Sequence, residues 1–261
     1  MTEGQIGRLH TFKVSHFSEK ARWALDYCDI PYVEICHVPV LHRFTFLMNF
    51  FFSVTVPLFV PHHKGYPRTL PESAQIVQYA NDNSKNNKKL LPENQDLVKE
   101  ILALEKTFDT QFGHAIPRFV YYYIIDNKPI IYKLFSTGMK PGIQTFILDH
   151  GFYVIKTIMK IFFALSKKKR DASKKKIDTI FQMVEDRLSD GRRYLVGDSL
   201  STADITFASL AAPLVSPEEL PVYYEVKDMF PQEGKDIITK YRESVAGQFA
   251  LRIYKDHRYK K

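Results

Sequence analysis

Three short stretches of the chain hold side chains that could do chemistry. The first is Ser15-His16-Phe17-Ser18, where a β-compatible run, Arg8–Phe12, gives way to helical spacing. A helix start presents unpaired amides and partial positive charge. It stabilises an anion, a thiolate included, and a nearby hydroxyl can donate to that anion. Ser15 reads equally as a plain N-cap, a common post for serine. The second stretch is Val56-Pro57. A cis bond there would mark a tight turn and leave the Val56 main chain free to pair with an extended peptide ligand. The third is Glu72-Ser73, at the head of a helical pattern. Amides and a hydroxyl there could hold a carboxylate, and Glu72 an ammonium group. Both residues could also simply cap the helix.

The elements that must position these residues follow from the pattern. Phe17, Ala21, Ala24, Leu25 and Cys28 recur at helical spacing, and Asp29-Ile30-Pro31 stops that helix. Tyr32–Val38 is rich in β-branched and aromatic residues, so the chain opens with a βαβ unit whose strands are parallel. His42–Ser53 is aromatic-rich and has no clear period. Val54–Val60 reads as a third strand with a proline inside it, and Tyr66–Leu70 as a fourth, antiparallel one. A helix over Glu72–Ala80 follows, then the polar run Asn81–Lys89, which holds no apolar residue and reads as a linker. Beyond Leu90 the periodicity is helical. Pro92 suits a first helical position, and Leu97, Ile101, Leu104 and Phe108 form a stripe. Ile177, Ile180, Phe181, Val184 and Leu188 form another. Ser201 and Asp204 have capping-box spacing, with Leu200 and Ile205 placed as a hydrophobic staple. The expected architecture is an α/β domain over 1–83, a linker over 84–90 and an all-helical domain over 91–261.

Composition excludes several classes. The 261 residues are 45% apolar and 25% charged, as in soluble globular proteins, which argues against wholesale disorder. Two cysteines, Cys28 and Cys36, make neither a disulfide scaffold nor a four-thiolate zinc site and point to the reducing cytoplasm. No basic stretch leads into an apolar run at the start, so no secretory signal is expected. His62-His63, and Cys36-His37 with His42, match no zinc spacing, so no metal is expected. The net charge of +8 is local: Lys167–Lys176 (KKKRDASKKK) alone holds seven basic residues and one acid. One block without interleaved aromatics argues against nucleic acid as a partner. Ile143–Leu165 is strongly apolar but carries Asp149, His150, Lys156 and Lys160. It reads as one or two buried or amphipathic helices instead of a membrane span. Together with Lys167–Lys176 it could also dock on an anionic membrane surface.

The three stretches together resemble the glutathione-binding layout of the cytosolic glutathione transferases. Ser15–Tyr27 (SHFSEKARWALDY), Val56–Val60 (VPLFV) and Glu72–Ala80 (ESAQIVQYA) are similar to that family's thioredoxin-like N-terminal domain. Tyr194–Pro213 (YLVGDSLSTADITFASLAAP) is similar to the capped core helix of its all-α C-terminal domain, and is the most specific of these motifs. Ala246–Arg258 resembles the tail of a poorly characterised serine-type subgroup. The resemblance says little about residues 112–172. It implies an enzyme that conjugates the thiolate of glutathione to a small apolar electrophile, the chemistry of detoxification, and it implies a homodimer. Ser15 would be the catalytic residue that faces the sulfur and lowers its pKa, with Phe17 beside it among the binding residues. The main chain of Val56 would pair with the cysteinyl unit, Pro57 would be cis, and Glu72 and Ser73 would hold the γ-glutamyl end. His42 or Arg43 would meet the glycyl carboxylate. Asp204 would be structural. Phe12 stands near where tyrosine-type members carry their hydroxyl, and Ser15 and Ser18 where glutaredoxin-like members carry cysteines, so tyrosine and dithiol mechanisms fall away. Cys28 reads as a small core residue. The alternative reading is a non-catalytic protein on the same fold that binds hydrophobic ligands or docks on membranes.

Overall fold

The computed structural model describes residues 7–48, 55–62, 65–85 and 88–259. Residues 49–53 of the aromatic segment, Val54 of the expected third strand, and His63 lie outside the described residues. The chain divides into two compact units, residues 1–89 with 132–155 and residues 90–131 with 156–261.

The first unit is built on a three-stranded sheet. β1 (Gly7–Thr11) runs parallel to β2 (Tyr32–Cys36), in register from Gly7 opposite Tyr32 to Thr11 opposite Cys36. α1 (His16–Tyr27) connects them. It is buried almost all round, so Glu19, Lys20 and Arg22 are interior although a helical charge pattern would put them in water. The helix closes where the Cys28 amide donates to the Ala24 carbonyl, and Asp29 turns the chain at a positive φ of 56°. The aromatic segment after β2 begins as α2 (His42–Met48). β3 (Leu58–Val60) pairs antiparallel with β1, giving the order β2-β1-β3. The fourth strand expected at Tyr66–Leu70 is a single bridge, Leu70 to Phe59. α3 (Ser73–Asp82) packs on α1 and takes up the first two residues of the expected linker, with Ile76, Val77, Tyr79 and Ala80 buried.

After residue 90 the chain is helical. α4 (Gln95–Thr107) starts three residues beyond Pro92. Asn94 decides that start, because its side-chain oxygen accepts from the amides of Asp96 (2.9 Å) and Leu97 (3.3 Å). A satisfied cap outweighs the preset φ of proline. A π-helical turn over Phe108–Gly113 leads into α5 (Ala115–Ile124) and α6 (Lys128–Ser136). The apolar stretch Ile143–Leu165 forms α7 (Ile143–His150) and α8 (Phe152–Phe162), parted at Gly151. The basic block forms the first turns of α9 (Lys167–Leu188). α10 (Thr202–Val215), α11 (Pro221–Tyr224), α12 (Gln232–Glu243) and α13 (Val245–His257) follow. Every residue of α10 is buried, which is why its sequence shows no polar face. Its Phe207 meets the rings of Phe108, Phe112, Phe181 and Phe249. No described helix is long and apolar enough to cross a membrane.

Candidate functional site

The sheet brings the three singled-out stretches to one end. The β1–β3 register pairs His10 with Leu58, and continued two residues it sets Val56 level with Phe12. The Leu70 bridge to Phe59 is also antiparallel, so the chain from Leu70 to Glu72 runs back toward Val56. The end of β1, the approach to β3 and the head of α3 therefore converge. α2 joins them there, because the His42 ring lies edge-on to Phe12 at 4.9 Å between centroids.

Ser15 caps α1. Its extended backbone (φ −81°, ψ 121°) lets its Oγ accept from the Ser18 amide at 3.2 Å, and its own amide donates to the Phe12 carbonyl at 2.9 Å. A hydroxyl that accepts still has its proton to give. The Ser15 O–H meets no acceptor among the described residues, and the side chain is only half-buried. The cap and the anion donor are thus compatible roles for one residue. Ser18 differs: it is fully buried, and its Oγ has no partner among the described residues. Of the two serines, only Ser15 is open to a ligand. Phe17 is half-buried and tilts against the His16 ring.

The Val56-Pro57 bond is cis. Val56 is half-buried and makes no main-chain hydrogen bond to a described residue, while Pro57 is buried. Glu72 is the N-cap of α3 but its side chain makes no capping bond, and it is exposed. Ser73 is buried at the first position of that helix. Arg43 is exposed on α2. His42 is buried at 5% exposure, edge-on to Phe46 as well as Phe12. Its ring is a packing element before it is a surface group.

Two features of this end escaped the sequence. One is a buried charge network that holds the Ser15 turn. Arg22 donates to Glu19 (2.9 Å), to Glu34 of β2 (2.7 Å) and to the Lys13 carbonyl (3.2 Å). Glu34 also accepts from Lys13 (2.7 Å) and the Thr11 hydroxyl (2.7 Å). Burial would raise the Glu34 carboxyl, but Arg22 and Lys13 overcome it and hold it at about 2. Burial would likewise lower the Arg22 guanidinium, and the two carboxylates raise it instead. The other feature is a histidine stack. His10 Nδ1 and His37 Nε2 share a hydrogen bond of 2.9 Å, with rings 5.2 Å apart and 7° from parallel, and Phe46 closes on both edges. Burial is the main cause that lowers both to about 4, helped by Arg8 at His10 and by His10 and His42 at His37. Both are neutral at pH 7. The thiols offer no rival nucleophile. Burial pushes Cys28 up to about 11, and burial together with Glu34 raises Cys36.

The match to known proteins covers both units. Residues 9–88 match the glutathione S-transferase N-terminal domain model, and residues 134–247 match the glutathione S-transferase C-terminal domain model. No curated protein sequence matches the chain. Among solved structures, glutathione S-transferase I from maize, in complex with an atrazine glutathione conjugate, is 20% identical with a TM-score of 0.54. The similarity covers 96% of this chain and 99% of that one. A glutathione S-transferase from Rhodospirillum rubrum is 17% identical, with a TM-score of 0.53, over 94% and 92% of the two chains. A glutathione transferase from Pseudomonas putida, with one glutathione disulfide bound per subunit, is 15% identical, with a TM-score of 0.55, over 97% and 94%. With the N-terminal domain model matched over residues 9–88 and the C-terminal domain model over 134–247, the chain belongs to the glutathione transferase superfamily.

Proposed function

We propose that the protein binds glutathione along the converging ends of β1, β3 and α3 and adds its sulfur to a small apolar electrophile. The observation that carries this reading is the Ser15 hydroxyl: its oxygen is committed to the helix cap and its proton meets no acceptor among the described residues. Donated as a hydrogen bond to the glutathione sulfur at a helix N-terminus, it favours the thiolate, and the thiol's own proton passes to solvent. The thiolate attacks the electrophile, a carbon–sulfur bond forms, and the displaced group leaves with its electron pair. The Val56 main chain, which bonds no described residue, pairs with the cysteinyl unit, while Glu72 and Ser73 hold the γ-glutamyl ammonium and carboxylate. Arg43, exposed on α2, meets the glycyl carboxylate, since His42 beside it is buried between Phe12 and Phe46.

The test is calorimetric titration with glutathione beside a conjugation assay with an aromatic electrophile. Ser15→Ala is expected to lower kcat about a hundredfold, the usual scale for losing one donor to a developing anion. The lost cap costs only about 1 kcal/mol of stability, so the fold survives. Ser18→Ala leaves turnover near wild type. Unchanged turnover in Ser15→Ala removes that residue from the mechanism. The homodimer implied by the family belongs to the same reading, and light scattering is expected to give the mass of two chains.

A further inference from the structure

The exposed face of α8 is the least explained surface of the molecule. Phe152, Ile155 and Met159 are buried on one side of this helix. On the other side Tyr153, Val154, Ile158, Ile161 and Phe162 are exposed, Ile161 by 75% and Phe162 by 64%. At 100° per residue these five and Thr157 fill one continuous half of the helix. A contiguous apolar face of this kind marks an interaction site.

Its neighbour in the chain identifies the partner. Ala164, at a positive φ of 49°, turns α8 into α9. Lys167 therefore lies within about 18 Å of Phe162, five residues on at full extension. Lys167, Lys168, Lys169, Lys175 and Lys176 are all exposed, and none ion-pairs among the described residues. Three of them stand in the first turn of α9, which holds no acid. Cations there oppose the helix dipole, a local cost that an external anion would offset. Lys167, Lys168 and Lys175 also line a shallow groove on α9 with Asp171 and Ala172. At 11 residues α8 is about 16 Å long, too short to span a bilayer but enough to lie in its surface.

We infer that the α8 face and the start of α9 form a docking surface for an anionic lipid bilayer, with α8 in the interface and the lysines on the headgroups. Charge decides against a second copy as the occupant. A contact between two copies would set two net-basic surfaces together, each with seven basic residues against Asp171 alone, whereas a bilayer of anionic lipid supplies the opposite charge. The inference is independent of the thiol chemistry.

Co-sedimentation of the full chain with vesicles tests it. The protein is expected to pellet with vesicles of phosphatidylcholine and phosphatidylserine at low salt, and to be released by high salt or by omitting phosphatidylserine. Ile161→Asn/Phe162→Ser and Lys167→Gln/Lys168→Gln/Lys169→Gln are each expected to cut partitioning about tenfold or more. All five positions are exposed, so an unchanged melting temperature confirms folding. Three results overturn the inference. They are a wild-type protein that stays in solution, equal pelleting on neutral vesicles, and equal pelleting of both variants. Self-association that Ile161→Asn abolishes, without vesicle binding, assigns the face to a second copy. Salt-sensitive retention on polyglutamate, again without vesicle binding, assigns the lysines to an acidic protein.

Discussion

Replacing Arg22 with methionine is expected to lower the unfolding free energy by about 3–5 kcal/mol, the usual effect of removing one partner from a buried charge cluster. The Arg22 and Glu19 side chains are 4% and 1% exposed, and Glu34 is 18% exposed. Methionine fills much the same volume but leaves Glu19 and Glu34 without the guanidinium between them. Lys13 keeps its contact with Glu34, so what is lost is the guanidinium's pairing with Glu19 and Glu34 and its hydrogen bond to the Lys13 carbonyl. Arg22→Lys retains the charge but not the planar fork that reaches three acceptors, so it should fall between the two. Denaturant unfolding measures all three proteins. Because Arg22 also ties down the turn that ends at Ser15, the methionine variant should bind glutathione more weakly under conditions where it is still folded. Wild-type stability in Arg22→Met would show that the network is not needed to hold the turn.

The pH dependence checks the same network with a defined sign. Glu34 sits at about 2 instead of 4.5. A depressed carboxyl stabilises the fold fully above its unfolded value, and that contribution is lost as the pH falls through the folded one. The stability gap between wild type and Arg22→Met should therefore be widest above pH 4.5 and narrow toward pH 2. His10 and His37, held at about 4 instead of 6.5, add an acid sensitivity of their own. The unfolded chain binds their protons first, so stability falls between pH 6.5 and 4. Both proteins keep that term, and it cancels in the difference.

What could be read from the sequence was local. Ser15, Val56-Pro57 and Glu72-Ser73 stood out because cap and turn chemistry is written within a few residues, and Tyr32–Val38 because β-branched and aromatic residues cluster there, its strand ending at Cys36. Contacts between distant residues were hidden. Arg22 meets Glu34 twelve positions on, and His10 meets His37 twenty-seven positions on. Periodicity gave no sign that α1 is enclosed on all sides, and so its charged residues look solvated in the sequence. His42 reads as a ligand-facing group by position, yet packing between Phe12 and Phe46 buries it. The Pro92 start failed because Asn94 offers a better cap three residues before the first apolar residue of that helix, Leu97. α8 was legible as apolar, but the same composition serves a buried face and an exposed one. Only the three-dimensional structure separates Met159 from Ile161.

Asp204→Ala is expected to cost about 3 kcal/mol, because it leaves several buried donors unmatched at once. The Asp204 carboxylate accepts from the Leu195 amide (2.8 Å), the Ser201 amide (2.8 Å) and the Ser201 hydroxyl (2.7 Å). It thereby closes the capping box of α10 and pins the preceding loop to the same helix. Asp204→Asn keeps an acceptor but turns its amide donors toward other donors, so it should recover only part of the loss. In thermal unfolding, 3 kcal/mol in a chain of this size corresponds to about 6–12 °C. The pH signature runs opposite to that of Glu34. Burial, the largest influence, pushes Asp204 up to about 6, and the donors offset it only in part. A raised carboxyl holds its proton more tightly in the folded state than in the unfolded chain. Its contribution to stability therefore grows as the pH falls from about 6 toward 3.8. The gap between wild type and Asp204→Ala should widen over that interval, whereas the gap for Arg22→Met is flat down to about pH 4.5 and then narrows. A gap that narrows instead would mean that the three donors outweigh burial, and that Asp204 is a stabilised carboxylate in the folded protein.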